Sequence, residues 1–271
     1  MSSNQEGHYS HGEDLTLAHR LADAADAITL KRYQAIDLAI TTKPDNTPVT
    51  DADKSSEEAI RALLHAHRPH DGIVGEEFGN EGVEKNRYWV IDPIDGTKNF
   101  LRGVPTWATL IALVERTPDG GQRTVVSVVS APALFRRWSA HLGGGAFVTI
   151  NKETTKRIHV SGVSKIEDAS ISYSDFTGWG EMLVPFQNLL AKAWRTRGYG
   201  DFWSHMLVAE GALEAAVEPT LALWDMAALD LIVSEAGGVF SNTDGVAGPH
   251  GGNGVSSNAA LHSFIIESLR K

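Results

Sequence analysis

The sequence predicts a mixed α/β fold, an antiparallel-rich α+β half followed by an α/β half, with the active site between them. Three observations carry this. Long helical periodicities sit among short apolar runs, β-rich runs from 107 to 150 are joined by turn signals, and beyond about Asn151 strands alternate with helices. Residues 1–12 are expected to form a frayed tail, 13–150 the α+β half and 151–271 the α/β half, together one compact unit.

The elements follow in order. Leu15 to Ile36 places Leu15, Ala18, Leu21, Ala22, Ala25 and Ile28 on one face of a long helix. Thr41 to Pro48 reads as a polar loop with two prolines, and a second helix near Ser55 to His67 is opened by the acids Asp51 and Asp53. Ile73 to Phe78 and the run from Trp89 read as strands that end in acids. Trp107 to Glu115 and Thr124 to Ser130 are β-rich and joined by a Pro118-Asp119-Gly120-Gly121 hairpin signal. Leu134 to His141 and Ala146 to Ile150 continue that sheet around Gly143-Gly144-Gly145. The second half gives a strand at Ala169 to Tyr173, a helix to Lys192, a strand at Ala193 to Arg197 and a helix through Leu207. Leu213 to Val217, a helix opening at Trp224, Gly238 to Phe240 and a C-terminal helix from Ala259 complete it.

The chemistry concentrates in Trp89-Val90-Ile91-Asp92-Pro93-Ile94-Asp95-Gly96-Thr97. A residue before proline is held extended, so Asp92 ends its strand with a fixed direction, and Asp95 follows on a tight turn. Two carboxylates flanking the Ile94 carbonyl make a hard-oxygen cluster suited to Mg²⁺, which takes octahedral oxygen ligands at about 2.0–2.1 Å. The Gly96 and Thr97 amides directly after it can face a phosphate. Glu76 and Glu77 end a second apolar run, and Asp225 stands in the first turn of a periodic helix, where a cap is the alternative reading. Three separated acidic segments are what a two-metal phosphoryl-transfer site needs. No cysteine, G-x-S-x-G elbow, H-E-x-x-H or G-x-x-x-x-G-K-[ST] loop offers a competing chemistry.

These motifs, with Trp224-Asp225 and Glu235-Ala236-Gly237-Gly238, resemble the inositol monophosphatase superfamily of Mg²⁺-dependent, lithium-sensitive phosphatases, over about Asp14 to Leu269. Lys43-Pro44-Asp45, Arg102-Gly103-Val104-Pro105 and Arg197-Gly198-Tyr199-Gly200-Asp201 make the chain look most like the actinobacterial histidinol-phosphate phosphatases within it. The resemblance implies a layered αβαβα sandwich of the sugar phosphatase type. It implies Glu76, Asp92, the Ile94 carbonyl, Asp95 and Asp225 as metal ligands, with Asp53, Thr97 and Glu76 handling the attacking water. It also implies two to three Mg²⁺ ions, Mn²⁺ as a substitute, Li⁺ as an inhibitor, and a homodimer. The activity implied is hydrolysis of L-histidinol phosphate in histidine biosynthesis. The alternatives are an inositol-1-monophosphatase, a fructose-1,6-bisphosphatase, or a non-catalytic regulator marked by loss of a ligand acid.

Substrate contacts are read from the remaining acids. A leaving group bearing an ammonium and an imidazole calls for a carboxylate and aromatic faces. Glu218, seven residues before Asp225, matches the position at which the superfamily meets the leaving alcohol, and Asp201 and Arg197 are further candidates. Glu218 as a strand-end acid and Asp201 as an N-cap are the alternatives, and Tyr199, Phe202 and Trp203 fit either a pocket wall or the core. His65, His67 and His70 crowd a helix end, where imidazoles suit the dipole without any metal. Gly143 to Gly145 reads as a β-turn rather than a phosphate cradle, and Ser204 and His205 are helical neighbours that point apart. The formal charge of −10 argues against a nucleic-acid partner, and the lack of an 18-residue apolar run against a membrane span. Absence of cysteine fits the cytoplasm.

Overall fold

The computed structural model describes residues 9–44 and 47–270. Asp45, part of the subfamily resemblance, and the tail before Tyr9 lie outside the described residues. The chain runs α1 (His11–Arg32), β1 (Ile40–Thr42), β2 (Pro48–Thr50), α2 (Asp51–His67), β3 (Gly72–Gly75), β4 (Gly79–Glu81) and β5 (Arg87–Asp95). It continues through α3 (Thr97–Arg102), β6 (Ala108–Arg116), β7 (Gln122–Ala131), β8 (Arg136–His141), β9 (Gly145–Ile150) and β10 (Thr154–Arg157). The second half contains β11 (Ser170–Ser172), α4 (Leu183–Leu190), β12 (Arg195–Arg197), α5 (Asp201–Ala209), β13 (Ala215–Glu218), α6 (Leu223–Glu235), β14 (Gly238–Ser241), β15 (Gly254–Asn258) and α7 (His262–Leu269).

Two large sheets and three helical layers result. The first sheet has the order β10-β9-β8-β7-β6-β5-β3-β4, antiparallel except for the β3–β5 pair. Its central strands, β5 to β7, are buried on both faces, which is why they read as continuous apolar runs. On β5, Trp89 and Ile91 join Leu17, Leu21 and Ile60 of α1 and α2, while Tyr88 and Val90 join Met226, Leu229 and Val233 of α6. The second sheet, β12-β11-β13-β15-β14, packs Ile171, Ala215, Val217 and Val255 against Phe186, Leu189, Ile265 and Leu269 of α4 and α7. Its other side meets α5 and α6. The layers are therefore α, β, α, β, α.

Several expectations are corrected. Thr41, Thr42 and Pro48, at the ends of the expected polar loop, stand in paired strands instead, with β1 and β2 antiparallel and in register from Ile40–Thr50 to Thr42–Pro48. Pro48 is tolerated because it sits at a strand end. In place of a tail reaching residue 12, α1 begins at His11, because Ser10 and Glu13 form a reciprocal capping box. The second helix begins at Asp51 and not near Ser55, because Thr50 and Asp53 make the same motif. The short edge strands β4 and β10, all exposed, carry no apolar alternation that could mark them in the sequence. β10 also extends the first sheet to Arg157.

His205 of α5 is buried at 1% exposure, with Nδ1 2.6 Å from the Ser256 hydroxyl and Nε2 without a partner. Burial lowers its pKa from 6.5 to about 4. The folded state therefore excludes a proton that the unfolded chain takes up below about pH 6.5. This contribution to stability is complete above that pH and is lost as pH falls toward 4. Its size is on the order of 3 kcal/mol at 1.36 kcal/mol per pH unit. In denaturant titrations from pH 7 to 4.5, His205→Gln is expected to flatten the fall in stability with acid, whatever its absolute stability. An unchanged slope would show that His205 is not the group responsible.

Candidate active site

The first sheet places the acids. β3 and β5 run parallel with Gly75 opposite Ile91, where β3 ends, and this sets Glu76 beside Asp92. The Glu76 N–H continues the ladder to the Ile91 carbonyl at 3.2 Å. Gly75 is demanded by close approach, since a Cβ there would lie 1.9 Å from the Glu57 carboxylate. That buried carboxylate accepts the Glu77 and Phe78 N–H groups and fixes the turn. The β5–β6 register slips between Asp92–Leu110 and Asp95–Ala108. Pro93 cannot donate to the ladder, and the resulting bulge turns Asp92 and Asp95 to one side. Gly96 follows at φ 79°, and its carbonyl accepts the Phe100 N–H to open α3. The first amides of α3 have no intrahelical partner.

Each carboxylate is held by one oxygen. Asp92 Oδ1 accepts the Ile94 N–H at 2.9 Å, Asp95 Oδ2 the Phe202 N–H at 2.6 Å, and Asp225 Oδ2 the Ala222 N–H at 2.7 Å. Asp225 is thus the third residue of α6, reaching back to the N–H of its N-cap Ala222, and also a member of the cluster. One ligand atom from each of the three lies within 4.8 Å of the others. Burial first, and the neighbouring carboxylates second, hold Asp92 and Asp95 well above the usual range. Asp225 is pushed up to about 7 for the same leading reason. Lys43 Nζ reaches Glu76 and Glu77, both at 2.6 Å, and those partners raise its pKa against the opposing effect of burial. Carboxylates converging in a buried space, with a lysine ammonium at the edge, fit a site for hard divalent cations.

Thr97 and Asp53 stand beside this cluster. Thr97 Oγ1 donates to the Ile94 carbonyl at 3.0 Å and approaches Asp53 Oδ1 at 3.4 Å. Asp53 Oδ2 is occupied by the Thr50 N–H and hydroxyl, so the capping box of α2 aims Oδ1 at Thr97. Burial raises the Asp53 pKa to about 6.

A cavity of about 380 Å³ opens here, lined among others by Glu76, Gly96, Thr97, Lys98, Tyr199 and Asp201. Asp201 is the first residue of α5, at φ 48°, and not its N-cap, which is Gly200. It accepts from Asn99 Nδ2 at 2.9 Å. Glu218 ends β13 at 4% exposure, accepts the Ser174 hydroxyl at 2.8 Å, and is raised to about 8 by burial. Arg197 is exposed, with Nη1 on the Thr196 carbonyl, and does not line the cavity. Phe202 and Trp203 pack with Trp138, whereas Tyr199 lines the cavity. In the sequence, Glu77 is marked as half of the acid pair with Glu76 and Lys43 as part of a resemblance motif, but nothing there gives Lys43, Lys98 or Asp175 a role at the site.

The discounted signals have ordinary partners. His65 meets Glu81 and His67 meets Arg20. The Gly143 and Gly145 N–H groups do cradle an anion, the protein's own Glu235 carboxylate, each at 2.7 Å. Ser204 bonds Ser172 while His205 bonds Ser256. A larger cavity, about 860 Å³, lies against α1 and β8, but its buried Asp26 is saturated by Ser130 and Arg137.

Fold and site define a phosphatase of the layered-sandwich, metal-dependent class. The chain belongs to the inositol monophosphatase family, whose sequence profile matches residues 12–271. It is 54% identical to a histidinol-phosphatase of Streptomyces coelicolor, covering 96% of this chain and 97% of that one. A Mycobacterium tuberculosis histidinol-phosphatase is 51% identical over 95% of this chain and 98% of its own. The solved inositol monophosphatase of Zymomonas mobilis superposes with a TM-score of 0.83 at 30% identity, over 97% of this chain and all (100%) of that one.

Asp92→Asn keeps the oxygen that accepts the Ile94 N–H but removes a charge from the cluster. In chelator the variant is expected to melt no lower than the parent chain. The Mg²⁺-dependent rise in Tm, about 2.7 kcal/mol of stabilisation at a hundredfold excess over Kd, is expected to vanish. A full Mg²⁺ response in the variant would remove Asp92 from the ligand set.

Proposed function

We propose that the chain hydrolyses L-histidinol phosphate to L-histidinol and phosphate in histidine biosynthesis. The observation that carries this is the Thr97–Asp53 pair aimed beside crowded carboxylates in a cavity whose far side is acidic. Identity above half with two histidinol-phosphatases supports the substrate. Glu76, Asp92, the Ile94 carbonyl, Asp95 and Asp225 would hold two to three Mg²⁺ ions. Bound Mg²⁺ supplies charge neutralisation at the phosphoryl oxygens and a lowered pKa for water. Mn²⁺ as a substitute, Li⁺ as an inhibitor and a cytoplasmic homodimer belong to the same proposal.

The chain's own residues do the rest. The Gly96 and Thr97 amides at the start of α3 seat the phosphate. Glu76 and the Thr97 hydroxyl orient the attacking water. As the water oxygen bonds to phosphorus, its proton passes to Thr97 Oγ1, whose own proton moves to Asp53. Asp53, at about 6, is mostly ionised at pH 7 and can take it. The P–O bond to the alcohol breaks, and its electron pair leaves with the alcohol oxygen, which is protonated from solvent. Glu218 and Asp201 face the leaving group.

Thr97→Val is expected to lower kcat about 10²–10⁴-fold with a much smaller change in KM. Normal turnover with weak binding would make Thr97 a positioning group for phosphate. Glu218→Gln is expected to cost about 1.5–3 kcal/mol in kcat/KM for histidinol phosphate, and much less for inositol 1-phosphate. Equal losses on both substrates would contradict a contact to the ammonium. Compared by kcat/KM with Mg²⁺ present and after chelation, histidinol phosphate is expected to lead inositol 1-phosphate and fructose 1,6-bisphosphate. A lead for either competitor would overturn the substrate assignment.

A further inference from the structure

The leaving-group side of the cavity holds a third carboxylate. Asp175 lines it together with Asp201 and Tyr199, and its charge is felt by both Asp201 and Glu218. Its position is built into the fold although the residue is exposed. Oδ1 accepts the Thr177 N–H at 2.6 Å, and its backbone carbonyl accepts Trp179 Nε1 at 2.9 Å. Trp179 is 2% exposed and stacks on Phe186 at 3.5 Å between ring centroids. The adjacent Ser174 hydroxyl donates to Glu218 and accepts the Asp201 N–H at 3.1 Å, so one short loop fixes all three acids. Gly200 lets that loop approach, since a Cβ there would lie 3.2 Å from Ser174 Cα at φ 72°.

Among the described residues, none of the three acids has an ion-pair partner, and Lys98 is the cation whose charge Asp201 feels. Seating a neutral alcohol would strip water from the Asp175 and Asp201 carboxylates without return, whereas a cationic alcohol offsets that cost and favours the ionised form of Glu218 that burial opposes. We propose that Asp175, Asp201 and Glu218 form a leaving-group subsite selecting phosphoesters of cationic alcohols, with Asp175 as the outer residue that draws the cation in. This deepens the proposed function and rests on it for the identity of the natural alcohol. The exposed acid acts through long-range attraction, so its effect belongs in KM and in salt dependence.

Asp175→Asn tests this cleanly, because an amide oxygen still accepts the Thr177 N–H. Two substrate pairs are compared: phosphoethanolamine with ethyl phosphate, and histidinol phosphate with glycerol 2-phosphate. The ratio of kcat/KM, cationic over neutral, is expected to fall about three- to tenfold in each pair, through KM. The salt sensitivity of kcat/KM for the cationic substrates is expected to flatten, and Asp175→Glu to restore much of the ratio. Unchanged ratios, or equal losses of kcat on both members of a pair, would overturn the subsite. Should the parent chain leave histidinol phosphate untouched while the phosphoethanolamine ratio falls, the substrate assignment fails and the subsite stands. If the parent chain turns over histidinol phosphate and the ratio stays unchanged in Asp175→Asn, the substrate assignment stands and the subsite fails.

Discussion

Repulsion among carboxylates crowded in a low-dielectric space is the constraint around which the rest of the molecule is arranged. Asp92, Asp95 and Asp225 converge from two elements, and each is tied down by a single backbone N–H. Such groups would splay apart on flexible loops. Here a strand end, a bulge and a helix start hold them together, and α2, α3 and α6 all begin near the cluster. Helix N-termini carry partial positive charge, which offsets some of the repulsion before any cation arrives.

The cost of that crowding is met by cores that take no part in the chemistry. Trp89, Trp107 and Trp138 are completely buried, and the first sheet is covered on both faces by helices. The ion pairs of Asp14 with Arg68 and Arg87, and of Asp26 with Arg137, compensate the acids buried outside the site. Among the described residues, Asp92, Asp95 and Asp225 have no such arginine, and each keeps an oxygen that no backbone N–H occupies, which is the condition for binding a cation from solution.

Much of this is legible in the sequence because strands that end in acids advertise themselves. Glu76, Asp92 and Asp95 follow apolar runs, whereas Asp53, which the structure sets near them with Thr97 and Asp225, is marked as a site residue only by the family resemblance. Pro93 signals a broken ladder, though the bulge it produces has no sequence mark of its own. Asp225 reads as a cap or as part of the cluster, and it serves both the N-cap N–H and the cluster because a carboxylate has two oxygens. The β1–β2 pair and the edges β4 and β10 are hidden because short exposed strands need no apolar alternation. Asp175 and Lys43 are hidden for another reason: their surroundings come from segments far away in sequence, which no local pattern records.

The Glu235 carboxylate clasped by the Gly143 and Gly145 amides sits at the opposite end of α6 from Asp225. Ten residues of helix separate the two, about 15 Å at 1.5 Å per residue. The helix is therefore a lever pinned at its far end. A tilt of about 5° around that pin would sweep the Asp225 carboxylate by roughly 1 Å, a displacement that can cost two powers of ten in rate. The glycine turn is in this sense a remote adjustment screw. Loop changes on the rim of the first sheet can retune the chemistry without altering any residue that touches substrate, and natural or engineered variation in turnover has a foothold there.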